Sequence, residues 1–351
     1  MALVWRKLLS TVNTQPLNSS LFLYGHPLVR CCSSYVSQMR FLTVLKEDDD
    51  ACSKAQASGK FLLFHNLSPL LQKEGHEGYS APLFAAADVK GILGKLGQSD
   101  NILETSVLIG CSQDSETQFA LDLGILEMND LDHHFHGTFV ELRKAFFLLR
   151  RQDIPLVFRS QALLRWHQTH QYCSQSGKPT ERNRAGSQRI CKSNGNIYYP
   201  QMAPVVISLV SDGTRCLLAR QKSFPKGMYS ALAGFCDIGE TVEETVRREV
   251  AEEVGLEIES LWYTGSQHWP FPNSSLMIAC HATVSAEKSQ ITVNDQELED
   301  ARWFTADEIK RALERKKLPR EQEAGIIPFW VPPRTAIANQ LIQEWINKQS
   351  K

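Results

Sequence analysis

What the chain lacks already bounds it. No apolar run approaches the ~18 residues that a membrane-crossing helix needs. The longest, such as Ala203–Val210, are strand-sized, so no membrane association is expected. A charge excess of either sign is also missing: 38 Lys and Arg stand against 39 Asp and Glu, a net charge of −1. Without a global basic field, a dedicated duplex-DNA binder is not expected. Cysteine is sparse. Nine cysteines, an odd number, lie scattered over 351 residues, which suits reduced thiols in an intracellular protein rather than a disulfide scaffold. Ordinary apolar and charged fractions of 42% and 22% argue against a wholly disordered, collagen-like or coiled-coil chain.

One absence is local. Residues 1–46 contain no Asp or Glu, while Arg6, Lys7, Arg30, Arg40 and Lys46 are basic and serines recur at 10, 19, 20, 33, 34 and 37. Acid-free, Arg-containing and Ser-rich composition is that of a mitochondrial transit peptide. Val4, Leu8, Leu9 and Val12 can share one helical face. A transit segment over 1–45 and a location in the mitochondrial matrix are therefore expected, with a plain disordered N-terminus as the alternative. The acidic stretch 47–58 reads as a linker.

The remainder divides into an α+β domain over 46–160, a helix with a polar, basic segment over 161–200, and a domain over 201–351. The first of these mixes β-like runs (Phe61–Phe64, Ser106–Ile109, Phe119–Leu123) with helical patches and carries no chemical motif; packing or dimerisation is its expected role. No internal repeat is apparent. In the last domain Val205–Val210 reads as a buried strand, Asp212-Gly213 as a hairpin turn, Cys216–Gln221 as the return strand and 241–254 as a helix.

That helix carries the chemistry. Thr241 and Glu244 have capping-box spacing, and Gly255 stands where a helix ends left-handed. Val242, Val246, Val250 and Val254 form one apolar stripe. Glu249, Glu252 and Glu253, at i, i+3 and i+4, share another face. Carboxylates so close repel and raise one another's pKa, a conflict that a divalent cation removes. All-oxygen ligation selects Mg²⁺ or Mn²⁺ over zinc. A solvated acidic face is the bland reading of three glutamates alone.

The wider spacing goes further. Gly234, Glu240, Arg248-Glu249-Val250, Glu252-Glu253 and Gly255-Leu256 fit G-x5-E-x7-R-E-U-x-E-E-x-G-U at every defined position. Here the sequence resembles the Nudix hydrolase superfamily. The resemblance implies an α/β fold, a Nudix α/β/α sandwich, that hydrolyses a nucleoside diphosphate linked to another moiety. It also implies that Arg248 pairs with Glu240 to shape the loop, while Glu249, Glu252 and Glu253 serve metal and the attacking water. Whether Glu252 or Glu253 is the base stays open.

Ten residues on, Ser266-Gln267-His268-Trp269-Pro270-Phe271-Pro272-Asn273-Ser274 is a stiff aromatic–polar segment. Trp269 and Phe271 offer flat faces that suit a heteroaromatic ring. The segment resembles the S-Q-P-W-P-F-P-x-S array of the NADH pyrophosphatase subfamily, with His268 in place of its third element, a proline. The resemblance implies substrate contacts at Tyr199, Phe235, the array and Ala338, and metal contacts at the Ala233 carbonyl and Glu297. It implies a homodimer, and a small-molecule dinucleotide as substrate: NADH and NADPH cleaved to reduced nicotinamide mononucleotide. Another nucleotide, an NAD-capped RNA or a non-catalytic nucleotide-binding module are the alternatives. The subfamily's four-cysteine zinc ribbon is reduced here to Cys173-Ser-Gln-Ser176 and Cys191-Lys-Ser-Asn194. Cys173 and Cys191 thus read as remnants, and zinc is not expected. His167 and His170 could in principle complete a ligand set.

Overall fold

The computed structural model describes residues 35–75, 78–112, 115–128, 131, 134–315 and 329–349. Of the expected transit segment, 1–34 lies outside the described residues. Helix α1 (Tyr35–Glu47) leads into α2 (Asp49–Ala57), where the Asp48 carboxylate accepts the Ala51 N–H. Cys52 and Gln56 of α2 are buried, and Gln56 Nε2 donates to the Leu103 carbonyl and the Ser106 hydroxyl, both at 2.8 Å. The stretch 47–58 is therefore a packed helix and not a linker. Its polar look comes from acids gathered at a helix N-terminus, where cap and dipole favour them.

β1 (Lys60–His65) and β2 (Ser68–Lys73) form a hairpin, followed by β3 (Tyr79–Ser80), β4 (Leu83–Ala85), α3 (Ala86–Lys95), β5 (Val107–Cys111), β6 (Thr117–Asp122), β7 (Thr138–Phe139), α4 (Leu142–Leu148) and α5 (Ile154–Thr169). The sheet order is β3-β2-β1-β6-β5, with β1 parallel to β6. Strand alternation sends Phe61 and Leu63 toward Val89 and Leu93 of α3, and Leu62 and Phe64 toward Phe146 and Phe158 of α4 and α5. Both faces are covered, which is why β1 reads as a continuous apolar run.

Three short strands, β8 (Glu181–Arg182), β9 (Arg189–Ile190) and β10 (Ile197–Tyr198), form a small antiparallel sheet. Then come β11 (Ala203–Ser211), β12 (Arg215–Arg220), β13 (Leu232–Phe235), α6 (Val242–Val254), β14 (Ser260–Trp269), β15 (Ser275–Thr283), β16 (Asp300–Thr305), α7 (Ala306–Leu313) and α8 (Ile337–Gln349). The order is β14-β15-β11-β12-β16, with β13 on β11. Val206 and Val210 pack under α6, while Val205, Ile207 and Leu209 face α7 and α8. This is the expected α/β/α sandwich.

The two sheets share one topology. Each has a hairpin (β1·β2, β11·β12), a short strand on the first hairpin strand (β4, β13) leading to a helix (α3, α6), and an antiparallel pair whose second member runs parallel to the first hairpin strand (β5·β6, β14·β15). The chain therefore contains an internal repeat of structure, contrary to the sequence reading. The first copy keeps apolar positions, which many residues can fill, and drops the chemistry. α3 starts directly after β4 and carries Asp88 as its only acid, whereas residues 236–241 form a loop before α6.

Candidate active site

α6 is built as its sequence requires. The Thr241 hydroxyl accepts the Glu244 N–H at 3.2 Å, and the Glu244 carboxylate accepts the Thr241 N–H at 2.7 Å. Gly255 ends the helix at φ 70°, where other residues are strained. Val246, Val250 and Val254 are fully buried. Anchoring that stripe fixes how the acidic face is presented.

Arg248 is the hub of that face. Its Nε and Nη2 donate to the two oxygens of Glu240 at 2.6 and 2.9 Å, and Nη2 also donates to the Phe235 carbonyl at 2.8 Å. Glu240 Oε2 additionally accepts the Asp237 N–H and the Thr245 hydroxyl, both at 2.9 Å. Bidentate pairing with Arg248 above all, helped by the Asp237 N–H, holds the Glu240 carboxyl down at about 2. The loop between β13 and α6 is thereby pinned to the helix.

Arg248 Nη1 donates to Glu249 Oε1 at 3.0 Å and to Glu252 Oε2 at 2.9 Å. Glu253 is buried, 3% exposed, and its Oε2 has no hydrogen-bond partner. Burial first, then repulsion from Glu249, Glu297 and Glu252, pushes its carboxyl up to about 8. Burial also raises Glu249. Gly234 on β13 faces this group: a Cβ there would lie 1.8 Å from the Glu249 carboxyl carbon. A cleft of about 510 Å³ opens over Ala233, Gly234, Phe235, Glu249, Glu253 and Glu297. Among the described residues no three His, Cys, Asp or Glu converge as a ready cage, since Arg248 draws two of the glutamates to itself. The donor chemistry nevertheless fits a hard divalent cation. Carboxylate oxygens face one cleft, one buried oxygen is orphaned, and glycine leaves room for Glu249.

Other expected residues spread around this centre. Phe235 and Tyr199 are 51% and 55% exposed, while Ala338 is buried in the first turn of α8. The array lies at the end of β14. Its rings are not free faces: Trp269 packs edge-on against Phe146, Phe158 and Phe271 with centroids at 5.2, 6.1 and 5.5 Å, and Arg143 covers Phe271 at 4.7 Å. The reading of Trp269 and Phe271 as open stacking faces is corrected, because the apolar surface of the first domain claims them. Gln267 instead bridges to α8, donating to the Thr335 carbonyl and accepting the Ile337 N–H, both at 2.8 Å. His268 Nε2 lies 2.9 Å from Ser274 Oγ. Asn273 Oδ1 accepts from Arg165 at 3.0 Å, and Arg165 also donates to the Pro272 carbonyl. Pro270, His268, Asn273 and Ser274 line a groove of about 1100 Å³ between α5 and the start of β11. Pro204, on its edge, accepts the Cys236 N–H through its carbonyl.

Comparison with known proteins matches three family models in order: an NADH pyrophosphatase-like rudimentary NUDIX domain over 58–166, an NADH pyrophosphatase zinc ribbon domain over 168–199 and a NUDIX domain over 200–324. The chain is 59% identical over 330 residues to the mitochondrial NAD(P)H pyrophosphatase NUDT13 of Homo sapiens, spanning 92% of this chain and 94% of that one. It is 34% identical over 320 residues to the NAD-capped RNA hydrolase NUDT12 of Macaca fascicularis, spanning 82% and 66%. The chain belongs to the Nudix hydrolase family, in its NADH pyrophosphatase branch. The repeat seen in the fold is thus a Nudix domain followed, after the ribbon, by its catalytic counterpart.

The Nudix ribbon keeps its shape without its usual donors. Cys173, Ser176, Cys191 and Asn194 come together around shared hydrogen bonds. Two thiols, a hydroxyl and an amide do not fit the zinc centre that the ribbon implies. The histidines do not complete it. His167 Nε2 lies 2.9 Å from the Gly186 carbonyl and its Nδ1 3.1 Å from Arg189 Nη1, while His170 Nδ1 lies 3.0 Å from the Trp166 carbonyl.

Sequence reasoning missed Lys222 and Gln296 in the Nudix cleft, and Arg159 and Arg165 in the groove. None stands in a motif. Arg159 and Arg165 come from a different domain, and only the docking of α5 brings them there.

Proposed function

We propose that the protein is a mitochondrial NAD(P)H pyrophosphatase. Water and NADH give reduced nicotinamide mononucleotide and AMP; NADPH gives the same mononucleotide and 2′,5′-ADP. The observation that carries this reading is the Arg248-centred carboxylate cleft, with the buried Glu253 oxygen left without a partner. The relatives named above support the dinucleotide. Glu249, Glu252, Glu253 and Glu297, with the Ala233 carbonyl, would hold Mg²⁺ or Mn²⁺. When bound, such cations neutralise the diphosphate oxygens and acidify the attacking water.

The chain's own groups do the rest. Arg248 and Glu240 hold the loop that follows Phe235, so the cleft is preformed. Glu252 is engaged by Arg248, whereas Glu253 Oε2 has no protein partner. Glu253 therefore takes the proton of the attacking water. Phe235, half-exposed at the mouth, is available to stack on a base, and Tyr199 stands exposed beside the groove.

Hydrolysis of an NAD cap on RNA is the second reading, favoured by relatives bearing that name. The full chain, incubated with Mn²⁺ and in turn NADH, NADPH, NAD⁺, ADP-ribose and NAD-capped RNA, tests both. Reduced mononucleotide released fastest from the reduced dinucleotides supports the first reading. Cleavage of capped RNA alone replaces it with the second. Nucleotide binding with no cleavage at all leaves a binding module.

A further inference from the structure

The ribbon's two remaining thiols lie on facing turns. Cys173 Sγ is 3.0 Å from the Tyr198 hydroxyl and 3.5 Å from Asn194 Nδ2. Cys191 Sγ is 3.3 Å from Ser176 Oγ and 3.0 Å from Ser193 Oγ. Each thiol thus meets a residue of the opposite turn: Ser176, three residues after Cys173, touches Cys191 as well as Cys173, and Asn194, three residues after Cys191, touches Cys173. Ser176 also bridges the pair, since its N–H donates to Cys173 Sγ at 3.4 Å while its hydroxyl lies 3.3 Å from Cys191 Sγ.

Both turns close in the same way. Gly177 and Gly195 take φ of 66° and 75°, and their N–H groups donate to the carbonyls of Cys173 and Cys191 at 2.9 and 2.8 Å. This is the paired-turn frame that would set four thiolates around one metal. A tetrahedral centre with bonds of ~2.3 Å keeps its sulfurs within ~4 Å of one another. Rotating two side chains closes such a gap to the ~2 Å of an S–S bond. The frame has lost two metal donors and kept one sulfur on each turn.

We propose that Cys173 and Cys191 form a reversible disulfide, which joins the two turns in place of the metal. The co-reactant is a peroxide. The Cys173 thiolate attacks one peroxide oxygen, the O–O bond breaks, and a sulfenic acid and hydroxide form; the hydroxide is protonated to water. The Cys191 thiol then attacks that sulfur, the S–S bond forms, and the sulfenic oxygen leaves as a second water with the Cys191 proton. Two thiols lose two electrons and one peroxide gains them. Hydrogen bonds from Ser176 and Tyr198 favour thiolate at Cys173. The cover over the pair is thin, since Ser174, Gln175 and 192–195 are all exposed.

The test uses the full chain, purified without reductant, treated with one equivalent of hydrogen peroxide, alkylated, digested and mapped by mass spectrometry. The expected result is a Cys173–Cys191 linked peptide that dithiothreitol reverses, and a Tm about 5 °C higher for the linked protein than for the reduced one. Cys191→Ser should instead leave Cys173 as a trappable sulfenic acid. Alkylation of both thiols after peroxide treatment overturns the proposal, as does linkage to other cysteines. One equivalent of zinc in the reduced chain, found by elemental analysis, also overturns it. A link that leaves Tm unchanged removes its joining role. The wild-type arms need no variant to fold and no turnover to be measured.

Discussion

Gly234 shows how one missing methyl group can matter more to chemistry than to stability. A Cβ there would meet the Glu249 carboxylate and no backbone atom among its nearest neighbours, so the glutamate can swing away at little cost to folding. Gly234→Ala should keep Tm within a few degrees and lower kcat ~100-fold, because the carboxylate proposed to serve the metal is displaced by about an ångström. Circular dichroism melts and NADH turnover check the split; a stable variant with normal turnover contradicts this role. The spacing pattern contains Gly234, but its reason lies across a strand–helix contact that a linear reading does not see. Trp269 is the reverse case. Its identity was legible and its surroundings were not, since the rings that cover it sit more than a hundred residues away.

His167 gives the residue scale a pH signature. Burial above all lowers it to about 4, and Arg182, Arg189 and His170 add repulsion. A folded value below the ordinary ~6.5 means that the folded state resists protonation. The stabilising contribution is complete above pH 6.5 and is lost as pH falls toward 4, by about 3 kcal/mol at most. Denaturation midpoints of wild type and His167→Gln from pH 7 to 4.5 should converge; parallel curves contradict the assignment.

At the scale of elements, α6 was readable because every signal for it is local: a cap, a stripe repeating every fourth residue, and a terminal glycine. The interlocking of β14 with α8 was not. Gln267 supplies both the acceptor for the Ile337 N–H and the donor for the Thr335 carbonyl, about 70 residues away in sequence. Gln267→Ala leaves both groups unpaired and should cost about 1–3 kcal/mol of stability, read by urea denaturation. A loss below about 0.5 kcal/mol would mean that water replaces the side chain. The paired turns of the ribbon belong to this scale too. Their spacing was legible, whereas the contacts of Ser176 with Cys191 and of Asn194 with Cys173 appear only when the turns face each other.

For the whole molecule, two Nudix sandwiches divide the labour. The first keeps the topology and offers α5, Phe146 and Phe158 as a floor for the array; the second keeps the carboxylates. The repeat was invisible in sequence because the fold demands only alternating apolar positions, which the copies fill differently. The N-terminal boundary follows from the same packing. Leu45 is buried and Gln38 Nε2 donates to the Ser112 carbonyl at 3.0 Å, so α1 is part of the folded body. Import into mitochondria should therefore remove residues up to a point before Tyr35. N-terminal sequencing of the mature protein checks this, and a mature end after Lys46 contradicts it.

Glu253, on a capped helix beside Arg248, is the proposed acceptor of the proton from water attacking a dinucleotide diphosphate. The most direct measurement is single-turnover cleavage of NADH with Mn²⁺ by the full chain and by Glu253→Gln, alongside NADH binding by each. Retained binding and a rate ~10³-fold lower in the variant are expected. Equal rates for the two proteins would contradict that role.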